Sequence, residues 1–159
     1  MLTIDIICVG NLKERYWRDA LNEYSKRLTP WAKLRITEIA EQRLFKDNET
    51  LIDSALNEEG RRIISAIPEK SFTAALCIEG KRLKSKQLAD SISGAMNSGQ
   101  SSFSFIIGGS YGLSDEVKNR AQLKLSMSDM TFPHQLARVM LLEQIYRAMT
   151  IINGIKYHK

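Results

Sequence analysis

A chain of 159 residues, 43% hydrophobic and 26% charged, holds enough apolar material for one cored domain and has the composition of an ordinary globular protein. Its formal charge of +5 leans toward a polyanionic partner without naming one. No apolar run reaches the roughly 18 residues that a bilayer span needs, and MLTIDIICVG lacks the basic opening of a secretion signal, so a cytoplasmic protein is expected.

In chain order, Leu2, Ile4 and Ile6 alternate with Thr3 and Asp5 and run on to Val9, which predicts a first strand ending at Gly10. Tyr16, Trp17, Ala20, Leu21, Tyr24 and Leu28 recur at helical spacing until Pro30 stops them. Leu34, Ile36 and Ile39 mark a second strand, residues 41–48 a charged connection, and Leu51 to Ile64 a second helix that contains Gly60. Ser71 to Ile78 predicts a buried strand ending near Gly80, and Ser85 is placed to cap a helix carrying Leu88, Ile92 and Met96. Phe103 to Ile107 is a further strand. Ser114 caps the next helix, with Asp115 and Glu116 in its first turn, where carboxylates suit the dipole. Leu123, Leu125 and Met127 alternate as a fifth strand; Pro133 then opens a long helix that Gly154 follows.

Alternating strands and helices predict a single α/β domain over residues 1–159, with a mostly parallel sheet flanked by helices. The last helix is apolar on nearly every face, including Val139-Met140-Leu141-Leu142. Such a helix is buried all round, and in a chain this small a second copy is expected to cover the side that the sheet leaves bare.

Several motifs carry chemistry. Gly108-Gly109-Ser110-Tyr111-Gly112, between a strand and a helix, matches the G-x-S-x-G turn of a serine hydrolase, with His134 and His158 downstream. The helix cap at Ser114, rather than directly after Ser110, and the short chain argue against a nucleophile here, and the same run also reads as a flexible turn or as a backbone cradle for a ligand. G-x-G-x-x-G, P-loop and H-E-x-x-H patterns are absent, and Cys8 and Cys77 sit in separate apolar runs, so no metal site is expected. Lys81, Arg82, Lys84 and Lys86 form a basic cluster suited to phosphate, or simply a solvated loop. Gly80, Gly108 and the turn Ser128 to Pro133 all lie just beyond carboxyl ends of strands, where ligands bind in parallel sheets.

The segments ICVGNLKERYW, IIGGSYGL, MTFPHQLARVMLLEQIYRAM and the terminal YHK together make the chain resemble the ribosomal large-subunit pseudouridine methyltransferase H family, among the knotted SPOUT methyltransferases. The resemblance spans the whole chain. It implies a C-terminal trefoil knot, a homodimer, and S-adenosylmethionine held by Leu76, Gly108, Met127, Ser128, Asp129, Met130, Thr131 and Phe132. The implied reaction is methylation of N3 of a pseudouridine in the large-subunit ribosomal RNA. His134, Arg138, Tyr157 and His158 are the expected substrate-side or catalytic residues, with His158 and Glu143 as candidate bases. In that family the glycine turn is a cofactor cradle. A non-catalytic RNA-binding protein and a hydrolase using Ser110 are the competing classes.

Overall fold

The structure, a computed structural model, describes residues 1–157. Its elements run β1 (Leu2–Val9), α1 (Arg15–Leu28), β2 (Ala32–Ile39), α2 (Glu49–Ala66), β3 (Phe72–Arg82), α3 (Ser85–Asn97), β4 (Ser102–Ile107), α4 (Asp115–Arg120), β5 (Leu123–Ser126) and α5 (His134–Ile152). The strands form one sheet in the order β2-β1-β4-β3-β5, and every pairing in it is parallel. Parallel neighbours need crossovers, which the intervening helices supply.

Side-chain alternation sorts each strand onto two unlike faces. Ile4, Ile6 and Cys8 of β1 join Phe103, Phe105 and Ile107 of β4 in a large apolar core beneath α1, α3 and α5. The other face carries Ile7, Val9, Ala75 and Ile106 in a smaller cluster with Ile63 of α2 and Val117 of α4. Toward the amino ends of the strands this second face is polar: Asp5, Thr73 and Ser104 are all buried there. Each is paired, as burial requires. Arg35 makes a two-pronged bond to Asp5 at 2.6 and 2.8 Å, and the Ser71 and Ser104 hydroxyls lie 2.7 Å apart.

Three expectations change. β3 runs on to Arg82 instead of ending near Gly80, because its pairing with β5 resumes at Lys81 after a register shift beyond Leu76. Gly80 is the price of that bulge: a Cβ there would lie 2.7–2.8 Å from the backbone of Lys124 and Leu125. Ser85 does not cap α3. Its hydroxyl donates to Gln144 Oε1 on α5 (2.8 Å), while the Gln87 side chain accepts from the Lys84 N–H at the helix start. Finally, the sheet is not the only cover of α5 within this chain. Helices α1 and α3 pack along it, and every residue from His134 to Ile152 is buried or half-buried within this one chain. Beyond α5, Gly154 takes the left-handed conformation (φ +66°) that ends helices.

Candidate functional site

At the carboxyl edge of the sheet a cleft of about 810 Å³ opens between three segments. These are the bulged part of β3, the glycine turn after β4, and the chain from β5 into the first turn of α5. That volume falls in the range of small-molecule and cofactor sites, roughly 300–1,000 Å³. Leu76, Ile107, Leu113, Leu125, Met127 and Phe132 supply apolar walls. Ser110, Ser126, Ser128 and Thr131 are among its polar lining residues. The turn after β5 is knitted internally: Ser128 Oγ accepts from Met130 N–H (3.0 Å), and Ser126 Oγ donates to the Ser128 carbonyl (3.2 Å). Met130, 74% exposed, stands at the mouth.

The glycine turn owes its composition to its own folding. A Cβ on Gly108 would lie 2.5 Å from the Gly112 carbonyl oxygen, so the turn closes only without one. The expected benefit, room for a ligand at the backbone, therefore comes second to the self-contact of the loop. Ser110 Oγ donates to Glu41 Oε1 (2.9 Å), and Tyr111 OH is bonded to Asp47. A serine that donates to a carboxylate and not to an imidazole lacks the partner a nucleophile needs, which removes the basis for the hydrolase reading.

Five titratable side chains line the cleft. Glu79 and Lys118 form an ion pair: hydrogen bonding to Lys118 pulls the Glu79 carboxyl down, and the same bond pushes the Lys118 ammonium up. Burial pushes the Cys77 thiol up, and the bond to Asp47 raises the Tyr111 phenol. All four thus hold their protonation states near neutral pH. The fifth, His134, opens α5, with Nε2 facing Gly10. Cys8, outside the cleft, is a buried thiol pushed up to about 12 by desolvation.

Of the residues expected from the sequence, Leu76, Gly108, Met127, Ser128, Met130, Thr131, Phe132 and His134 line this one cleft. Asp129 does not; it turns outward to pair with Arg82 at 2.7 Å. Arg138 is fully buried, bonded to Glu38 Oε1 (2.9 Å) and the Gly10 carbonyl (3.2 Å), so it braces the loop that His134 faces and does not line the cleft. Tyr157 packs edge-on against Tyr146 (4.9 Å between centroids) with its hydroxyl on Glu143 (3.2 Å). Glu143 also accepts from Arg147 (2.6 Å) and Gln144 (2.8 Å), so both carboxylate oxygens are engaged and it makes a poor base. Glu143 borders a second cleft of about 460 Å³ that shares Leu125, Ser126 and Met127 with the first. His158 lies outside the described residues. Among those described, no group of three His, Cys, Asp or Glu is placed to hold a metal, and no helix is long and apolar enough to cross a membrane. Sequence reasoning missed Cys77, Ile78, Glu79 and Lys118. For the three on β3 the only signal was Gly80, next to the register shift between β3 and β5; Lys118, on α4, had none.

Residues 2–158 match the family model described as predicted SPOUT methyltransferase. Two curated proteins, each called ribosomal RNA large subunit methyltransferase H, come from Clostridium botulinum strains Kyoto (type A2) and Okra (type B1). Each is 46% identical over 160 residues, covering 99% of this chain and all of the relative. Among solved structures, a probable methylase family protein from Haemophilus influenzae Rd KW20 shares the fold, with a TM-score of 0.55 at 12% identity over 98% of this chain and 70% of that one.

Proposed function

This chain belongs to the SPOUT methyltransferase family, and from that premise we propose that it methylates N3 of a pseudouridine in large-subunit ribosomal RNA, using S-adenosylmethionine. The observation that carries the reading is the convergence of three backbone loops on one apolar-walled cleft at the carboxyl edge of the sheet. The residues there suit the cofactor: Leu76, Met127, Met130 and Phe132 offer apolar contact for an adenine ring, and the loop segments 108–112, 126–128 and 130–132 border the space for its edge. When bound, S-adenosylmethionine supplies an electrophilic methyl on a sulfonium.

The chain's own task is alignment and proton handling. Glu79 and Lys118 neutralise each other, and Cys77 and Tyr111 stay protonated, so among the described titratable side chains of the cleft His134 is the one placed to receive the N3 proton of the base. Arg138 acts one helical turn further along, holding Gly10 and so the wall against which the His134 ring rests. The resemblance also carries a homodimer, a knotted C-terminal third, a cytoplasmic setting and a catalytic part for Tyr157 and His158. The half-buried aromatic group Tyr24, Trp31, Tyr146 and Tyr157, from α1, the turn before β2, α5 and the segment after it, supports the dimer.

Calorimetric titration with S-adenosylmethionine is expected to give saturable binding. Labelled methyl should then pass to large ribosomal subunits from a strain lacking the modification. His134→Asn should retain cofactor binding and lose turnover, with the remaining activity rising toward high pH as the N3 proton becomes easier to lose. Cofactor binding without transfer to ribosomal RNA would refute the substrate. Unchanged turnover in His134→Asn would refute the base.

A further inference from the structure

The charged connection between β2 and α2 folds into a strap fixed at both ends. At its start, Glu59 Oε2 accepts from the Gln42 N–H (2.8 Å), and Arg62 donates to the Ala40 carbonyl (3.1 Å). Glu41 accepts from Ser110, and Asp47 bonds Tyr111, so the two strap carboxylates are committed to two residues that line the cleft. Between those anchors the chain presents Arg43, Phe45 and Lys46 to solvent. Phe45 is 100% exposed, and neither Arg43 nor Lys46 has an ion-pair partner among the described residues. An exposed ring alone is commonplace. An exposed ring between two free cations, on a segment bonded to the rim of a catalytic cleft, has the makings of a contact to single-stranded nucleic acid, where aromatic faces stack bases and cations meet phosphates.

We propose that this strap is a substrate-binding arm: Phe45 stacks on an unpaired base of the ribosomal RNA near the target nucleotide, and Arg43 and Lys46 contact the flanking phosphates. The inference rests on the ribosomal RNA substrate proposed above. The local charge favours RNA over an apolar protein partner. Glu41 and Asp47 bond to Ser110 and Tyr111, Arg43 and Lys46 are the only charged side chains within residues 43–46, and the single exposed ring is too small for a protein-docking patch.

The test compares Phe45→Ala, Phe45→Trp, Phe45→Leu and the double variant Arg43→Gln/Lys46→Gln with the wild-type chain. Because Phe45 touches nothing in the fold, its loss leaves folding intact. Phe45→Ala is expected to raise the KM for large ribosomal subunits about tenfold, the scale of one lost base–aromatic stack. kcat and the calorimetric Kd for S-adenosylmethionine should not move. Phe45→Trp should keep the wild-type KM, and Phe45→Leu should behave as Phe45→Ala. The charge variant should flatten the slope of log affinity against log salt by about 1.4, the value for two contacts to single-stranded phosphates. An unchanged KM in Phe45→Ala overturns the arm. So does full rescue by Phe45→Leu, which would make the contact an apolar one to a ribosomal protein. If the wild-type chain itself transfers no methyl to these subunits, the proposed function has failed and the arm falls with it; the two failures are told apart by the wild-type measurement.

Discussion

The two faces of the sheet solve the same burial problem with unequal means. Under α1, α3 and α5 the strands present Ile, Phe and Cys without interruption, and Leu141, Leu142 and Ile145 are fully buried against them. Under α2 and α4 the cover is thinner, and half of the strand positions are polar groups that must be hydrogen-bonded one by one. The difference teaches where stability and function separate. The thick face anchors the α5 helix, which delivers His134 to the cleft. The thin face supports the strap and the glycine turn, whose hydrogen bonds are exposed and locally replaceable.

The largest effect that sharpens this contrast is Ile145→Ala. A void beneath a helix packed on both flanks cannot collapse, so a loss of about 3–4 kcal/mol is expected in urea unfolding, near the upper part of the range for such truncations. Ile63→Ala on the thin face removes the same atoms from an equally buried side chain (1% exposed). The short α4 can settle into that space, and the loss should be nearer about 2 kcal/mol. Equal losses would erase the distinction between the faces.

Arg138→Met comes next. It takes the Arg138 donor from the carbonyl of half-buried Gly10, whereas Glu38, 41% exposed at its side chain, regains water. A cost of about 2 kcal/mol is expected, below the 3–5 kcal/mol of a fully buried pair. Turnover should fall more than cofactor affinity, because the brace serves His134.

Gly60→Ala tests the seam between α2 and α4. Alanine in a helix interior ordinarily gains about 1 kcal/mol over glycine. Here the new methyl collides with Ser114 Oγ, which caps α4 by accepting from the Val117 N–H. Losing that cap costs about 1 kcal/mol, and the remaining crowding adds to it, so a net loss is expected. A rise in Tm would show the seam to be slack.

The smallest effect is Glu59→Gln. Burial raises the Glu59 pKa, so the folded state holds its proton more tightly than the unfolded chain. The penalty is therefore absent below the unfolded carboxylate value of about 4.3 and grows as pH rises through the folded value. The amide should stabilise the protein slightly at pH 7 and leave it unchanged near pH 3. A stabilisation at pH 3 would contradict the assignment.

Local chemistry wrote much of this protein legibly. Alternation in LTIDI set which β1 residues face the thick core, Ser114 was readable as a cap, and the three loops of the cleft were visible as segments following strands. The strap was not legible: nothing in its residues announces that Glu41 meets Ser110 or that Asp47 meets Tyr111, since those pairs are separated by more than sixty positions. Nor was the burial of Arg138, whose helical spacing from His134 suggested a shared substrate face while tertiary packing turned it onto Glu38 and Gly10. The sequence alone determined the order of the elements, the strand faces and the loops that line the cleft, because periodicity, caps and turn residues act over a few positions. Only the tertiary structure decided which charges are spent and which are free, because pairing depends on distances between segments that sequence order does not contain.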